Sequence, residues 1–110
     1  MGFSERRRFL VDAGFEEFGE PAEYIDVTAG TKLPVVIRRR DRDEEDRFGN
    51  VSIKSRSIIF RVRSWQVRQP QPGDLIGVSG GDLAGLYEVR PDPMLDAKGV
   101  WDCPVERRAQ

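Results

Sequence analysis

With 110 residues, 38% apolar and 34% charged, the chain has room for one domain with a modest core and a polar surface. No run approaches the roughly 18 consecutive apolar residues of a membrane span, and no apolar stretch of about 7–15 residues follows Arg6, Arg7 and Arg8 as a secretory signal requires. A net charge of −1 argues against a nucleic-acid coat held by bulk electrostatics, and the lack of any histidine removes the usual general base and the commonest metal ligand.

Ser4 is placed as the N-cap of a helix beginning at Glu5. Val11, Phe15 and Phe18 follow at i, i+4 and i+7, one helical stripe, and Gly19 with Pro21 ends it. Phe3, Phe9, Phe15 and Phe18 crowd this short segment with more aromatic rings than a solvated arm carries. Either they cover the body behind them or they dock on a neighbour. Residues 1–20 therefore read as a helical arm and residues 21–110 as the β domain.

From Pro21 onward the period changes to two. Glu23 to Val27 reads as a strand, Thr28 to Thr31 as a hairpin turn, and Leu33 to Arg38 as the return strand. Pro34 has no N–H for a ladder, which makes this strand an edge or puts a bulge near its start. Residues 39–50 mix charges of both signs at low hydrophobicity and read as a long mobile surface loop, with Phe48 the apolar exception. Ile58, Phe60 and Val62 then alternate with Ile59, Arg61 and Arg63, and the change of phase to Trp65 and Val67 requires a bulge or corner near Ser64. Pro70, Pro72 and Gly73 force a turn into a strand from Asp74 to Val78. Gly80 and Gly81 mark another turn, Leu86 to Val89 a strand, Pro91 to Gly99 a loop, and Val100 to Val105 the closing strand. The expected fold is mainly β: a small antiparallel β-barrel or sandwich with a short N-terminal helix and a long charged loop.

Cys103 is the only cysteine, so it forms no intrachain disulfide. Alternation puts it on the face of Trp101 and Val105 as a buried small hydrophobe, a usage that fits synthesis in a reducing cytosol. Asp41, Asp43, Glu44, Glu45 and Asp46 lack the glycine and terminal glutamate of a calcium loop, and the arginines among them oppose a cation. Gly77, Gly80, Gly81 and Gly85 follow no strand-to-helix pattern and make no phosphate cradle. No catalytic residue, metal site or cofactor is expected. The candidate interface residues are Phe3, Phe9, Val11, Phe15 and Phe18 on the arm, with Arg38, Arg39, Arg40, Asp43, Glu44, Glu45 and Phe48 in or beside the loop. Opposite-sign clusters this close suit pairing between identical subunits.

Three segments stand in a telling order: Phe18-Gly19-Glu20-Pro21-Ala22-Glu23-Tyr24, then Pro70-Gln71-Pro72-Gly73-Asp74, then Leu86-Tyr87-Glu88-Val89 before a last strand with Trp101. Together with Val35-Val36-Ile37 and the loop ending Phe48-Gly49-Asn50, they resemble the phage head–tail joining proteins of the lambda type, also called attachment or stopper proteins. The stretch Gly80 to Gly85 departs from that pattern as a longer connection. The resemblance implies a β-barrel assembled as a ring, commonly of six copies, at the neck of a tailed virion. One side of such a ring meets the portal or a head-completion adaptor, the other the tail terminator, and packaged double-stranded DNA passes through. The arm would become ordered between ring neighbours, and deleting residues 1–18 would spare the fold and abolish joining. A related tail terminator or tail tube subunit is one alternative. Another is a single-stranded nucleic-acid-binding barrel of the OB type using Arg61, Arg63, Trp65 and Arg68, with base stacking as its chemistry.

Overall fold

The computed structural model describes residues 3–40 and 58–108. Helix α1 (Phe3–Phe18) precedes seven strands: β1 (Glu20–Asp26), β2 (Thr31–Arg39), β3 (Ile58–Arg63), β4 (Leu75–Val78), β5 (Gly85–Val89), β6 (Met94–Leu95) and β7 (Val100–Arg107). Every pairing is antiparallel, in the order β3-β2-β1-β4-β5-β7, and the β3–β7 ladder closes the sheet into a six-stranded barrel. The short β6 adds to the stretch of β7 at Trp101 and Asp102, beyond the part that β5 occupies.

Alternation fills the barrel, in β3 as the sequence predicts. Phe60 and Val62 of β3, Ile76 and Val78 of β4, and Tyr87 and Val89 of β5 all point inward and are buried. Phe60 and Tyr87 meet edge to face with centroids 4.7 Å apart, a geometry worth about 1 kcal/mol beyond area burial. Cys103 lies fully buried in the same core, as expected, with Trp101 packed against it from the rim.

Closure removes most sheet edges, and the one left on β2 is blunted. β3 pairs with β2 only from Ile37 to Arg39, so Thr31 to Val36 have β1 on one side alone. On that open side the Val36 N–H donates to Gln66 Oε1 at 3.1 Å. Pro34, two residues earlier, turns its ring nitrogen the same way and offers no donor. The edge expected from Pro34 is therefore present and closed to further strand addition.

Several boundaries differ from the sequence reading. The helix already includes Phe3, so Ser4 lies inside the first turn rather than at the N-cap. β1 begins at Glu20, not Glu23; Pro21 is accommodated because the β4 ladder starts only at Ala22. Met94–Leu95 form a strand inside the segment read as a loop. The corner near Ser64 is real: Gln66 N and Val67 N both donate to Arg63 O, which turns the chain and reverses the facing of the next apolar residues. The segment read as a charged loop over 39–50 begins later than expected, since Arg39 still belongs to β2, and residues 41–57 lie outside the described residues.

Gly19 ends the helix for a steric reason. Its N–H donates to Phe15 O at 2.8 Å, and a Cβ there would sit 2.4 Å from that oxygen and from Val36 Cγ1. Only glycine lets the helix end lie this close to β2.

Candidate functional site

The arm and the barrel meet along a polar and aromatic seam. On the inner face of α1, Asp12 Oδ1 accepts from Arg63 NH1 at 2.5 Å and from Trp65 Nε1 at 2.9 Å. Arg63 is 5% exposed, so this carboxylate is what allows a guanidinium to sit under the helix. The Phe15 ring is itself buried, with Arg63 4.8 Å from its centroid and Arg38 5.7 Å away. Arg8 lies 4.6 Å from the Trp65 ring, and Arg7 donates to Ala97 O at 3.1 Å. Cation–π contacts of this kind contribute about 0.5–2 kcal/mol each, more as water is excluded.

The predicted stripe therefore divides. Phe15 is buried and Val11 half-buried, whereas Phe18 is 66% exposed with only Arg38 over it at 5.4 Å. Phe9 is exposed, and so is Leu10 beside it. The arginine cluster is split among three roles. Arg38 stacks on the helix rings, Arg39 is exposed, and Arg40 pairs with Asp102 at 3.5 Å. The side chain of Phe3, and Asp43, Glu44, Glu45 and Phe48, lie outside the described residues.

The strand proposed for base stacking is occupied within the chain. Arg61 pairs with Asp96 at 2.7 Å and Asp102 at 2.9 Å, Arg63 with Asp12, and Trp65 lies between Asp12 and Arg8. Of that set only Arg68 is exposed.

Two segments singled out by the sequence come together through their polar residues. The Tyr24 hydroxyl donates to Asp74 Oδ2, joining β1 to the turn Pro70–Asp74. The buried Asp74 carboxylate also accepts from Gln71 N at 3.1 Å and Val27 N at 3.3 Å. Gly73 makes the approach possible at φ 96°, a conformation in which its N–H donates to Val89 O at 2.8 Å. Burial, and then the hydrogen bond and charge of Asp74, push the Tyr24 phenol well above its usual range. Tyr87, in the third segment, donates its hydroxyl to Leu83 O at 2.7 Å.

Burial first, and the Asp102 charge second, push the Cys103 thiol up to about 12. The unfolded thiol ionises near 9 while the folded one stays neutral, so its contribution to stability is whole below about 9 and is lost as pH rises toward 12. A disulfide reagent at pH 8 should label Cys103 only after denaturant is added. Labelling in plain buffer at the rate of a free thiol would mean that the β3–β7 seam opens readily.

A closed barrel with a helix strapped across it, and with apolar side chains held out to solvent, defines a structural module that works through protein contacts. No group of potential metal ligands occurs among the described residues, and no helix there is long and apolar enough to cross a membrane. A family model described as Phage Head-Tail Attachment protein matches residues 4–105, from the first turn of α1 into β7. The chain belongs to this family: it is a structural protein of the phage neck, in contact with other head and tail proteins. No curated protein matches it.

Proposed function

We propose that copies of this chain form a closed ring, of six in the simplest case, as the stopper between head and tail. The ring seats on the portal or a head-completion adaptor, retains the packaged double-stranded DNA that runs through it, and offers its far side to the tail terminator. Residues 1–20 act as the contact arm and residues 21–110 as the barrel that positions it. Each chain is made in the bacterial host cytoplasm and ends in the virion neck.

The observation that carries this reading is that the family match includes α1, the element that holds Phe9, Leu10 and Phe18 out to solvent. Apolar groups kept exposed on a chain that is 34% charged mark a surface completed by another protein. A net charge of −1 suits a channel that DNA must slide through rather than grip.

Deleting the gene in the producing strain and imaging the particles by negative-stain electron microscopy tests the reading. Filled heads lying apart from intact tails are the expected result. Normally joined particles would overturn it.

A further inference from the structure

Resting on the ring reading above, we propose that the outer face of α1 on one copy docks into a groove on the opposite wall of the next copy's barrel. The helix holds large apolar side chains out to solvent as well as against its own barrel. Val11, Asp12 and Phe15 face its own barrel. At 3.6 residues per turn, Arg6, Phe9, Ala13 and Glu17 fall on the other side, with Leu10 at its edge, where it also borders the cavity between the helix and its own barrel; all five are exposed, Phe9 by 69% and Leu10 by 65%. Beside the charges of Arg6 and Glu17, Phe9 and Leu10 take positions where a helix that only covers its own sheet carries polar groups.

The groove lies where β1, β4 and β5 run side by side. Pro21, Ala22, Pro34, Gly77 and Leu86 contribute its apolar lining, and Glu23 is the one charged residue among the described residues around it. Its volume is about 680 Å³. Gly77 leaves the floor open: a Cβ added there meets nothing nearer than Leu86 Cδ1 at 3.9 Å. Charge complements shape. Arg6, beside Phe9 and Leu10, has no hydrogen-bond or ion-pair partner among the described residues, and neither has Glu23. Seating the helix face in the groove brings a free cation to a free carboxylate as it covers both apolar surfaces.

Placement selects a second copy as the occupant. α1 is fastened to β2, to Arg63 of β3 and to the corner at Trp65, whereas the groove is built mainly on β1, β4 and β5, on the other side of the barrel. The helix cannot reach the groove of its own chain while Asp12 holds Arg63. A contact between two different surfaces of identical copies is heterologous, and repetition closes it into a ring when the rotation allows.

Cysteines placed at Leu10→Cys and Ser79→Cys, at the helix face and the groove rim, test this in assembled particles; native Cys103 is buried and stays out of the chemistry. Phe9→Cys with Ser79→Cys samples the neighbouring position on the helix. Mild oxidation should give a ladder of cross-linked multimers on a non-reducing gel with at least one pair, and only monomers with either partner of that pair alone. Gly77→Val, which fills the groove with a residue strands favour, should abolish the ladder and leave the unfolding midpoint of the isolated chain unchanged. Joined particles without a ladder from either pair, or a Leu10→Cys chain that dimerises equally well alone, would overturn the inference and leave the joining reading standing. A ladder from particles that carry a cysteine pair, together with normal joining in the strain that lacks the gene, would do the reverse.

Discussion

Asp74→Ala is expected to destabilise the barrel by about 3–4 kcal/mol, because three donors lose one buried acceptor and hydrogen bonds to a charged group contribute about 1.5–3 kcal/mol each. The Tyr24 O–H and the Val27 N–H lose their acceptor, while the Gln71 N–H keeps a weaker contact to the Tyr24 hydroxyl oxygen at 3.3 Å. For a domain of this size the loss corresponds to roughly 12–16 °C in Tm. Asp74→Asn keeps the shape and one acceptor oxygen, so it should cost about half as much. The pair of variants separates geometry from charge: equal losses would mean that the carboxylate charge is what holds the turn to β1. A loss below about 1 kcal/mol for Asp74→Ala, within the range of ordinary surface changes, would show that the turn is held by Pro70, Pro72 and Gly73 alone. Joining should fall with stability and no faster, since Asp74 is buried and offers nothing to a partner.

What could be read from the chain follows from which forces are local. Strand alternation depends on neighbours in sequence, and it placed Phe60, Val62 and Cys103 in the core correctly. The turn at Gly73 was equally legible from its glycine and prolines, and the corner before Val67 from the change of apolar phase. The same alternation assigned Arg61 and Arg63 to a charged outer face. That face is covered by α1, so Arg63 is buried against Asp12, 51 positions away. No local pattern announces such a pair. β6 was missed because its two residues lie between Pro93 and the Asp96 turn with no alternation to reveal them. Tyr24 and Asp74 come from two separate segments and meet through one hydrogen bond, although each alone reads as an ordinary aromatic or turn residue. Of the arm's aromatic residues the chain alone does not tell which stay exposed, and the proposed groove at Gly77 is visible only once the helix direction and the barrel order are known.

Phe15→Ala should release the arm while leaving the barrel folded. Truncating a buried phenylalanine costs about 3–5 kcal/mol, and here the loss falls on docking of α1 because Phe15 touches the barrel only through that seam with Arg38 and Arg63. Amide exchange in α1 should rise by roughly two orders of magnitude or more, as about 3 kcal/mol of lost docking implies, with β3, β5 and β7 still protected. Asp12→Ala reaches the same end by another route. It leaves Arg63 covered and unpaired, and breaking such a pair costs about 3–5 kcal/mol when fully buried; with the Asp12 side chain 35% exposed, the lower end applies. The cheapest escape is for the helix to lift and let water reach Arg63. This is why deleting residues 1–18 should be milder for the barrel than its contacts suggest: removing the cover also resolvates the cation. All three variants should keep the barrel and lose joining, because the contact face at Phe9 and Leu10 is presented only while Asp12 and Phe15 hold the helix down. Particles joined normally by the Phe15→Ala chain would mean that a partner captures the arm in another pose, and that docking of α1 on its own barrel is dispensable for assembly.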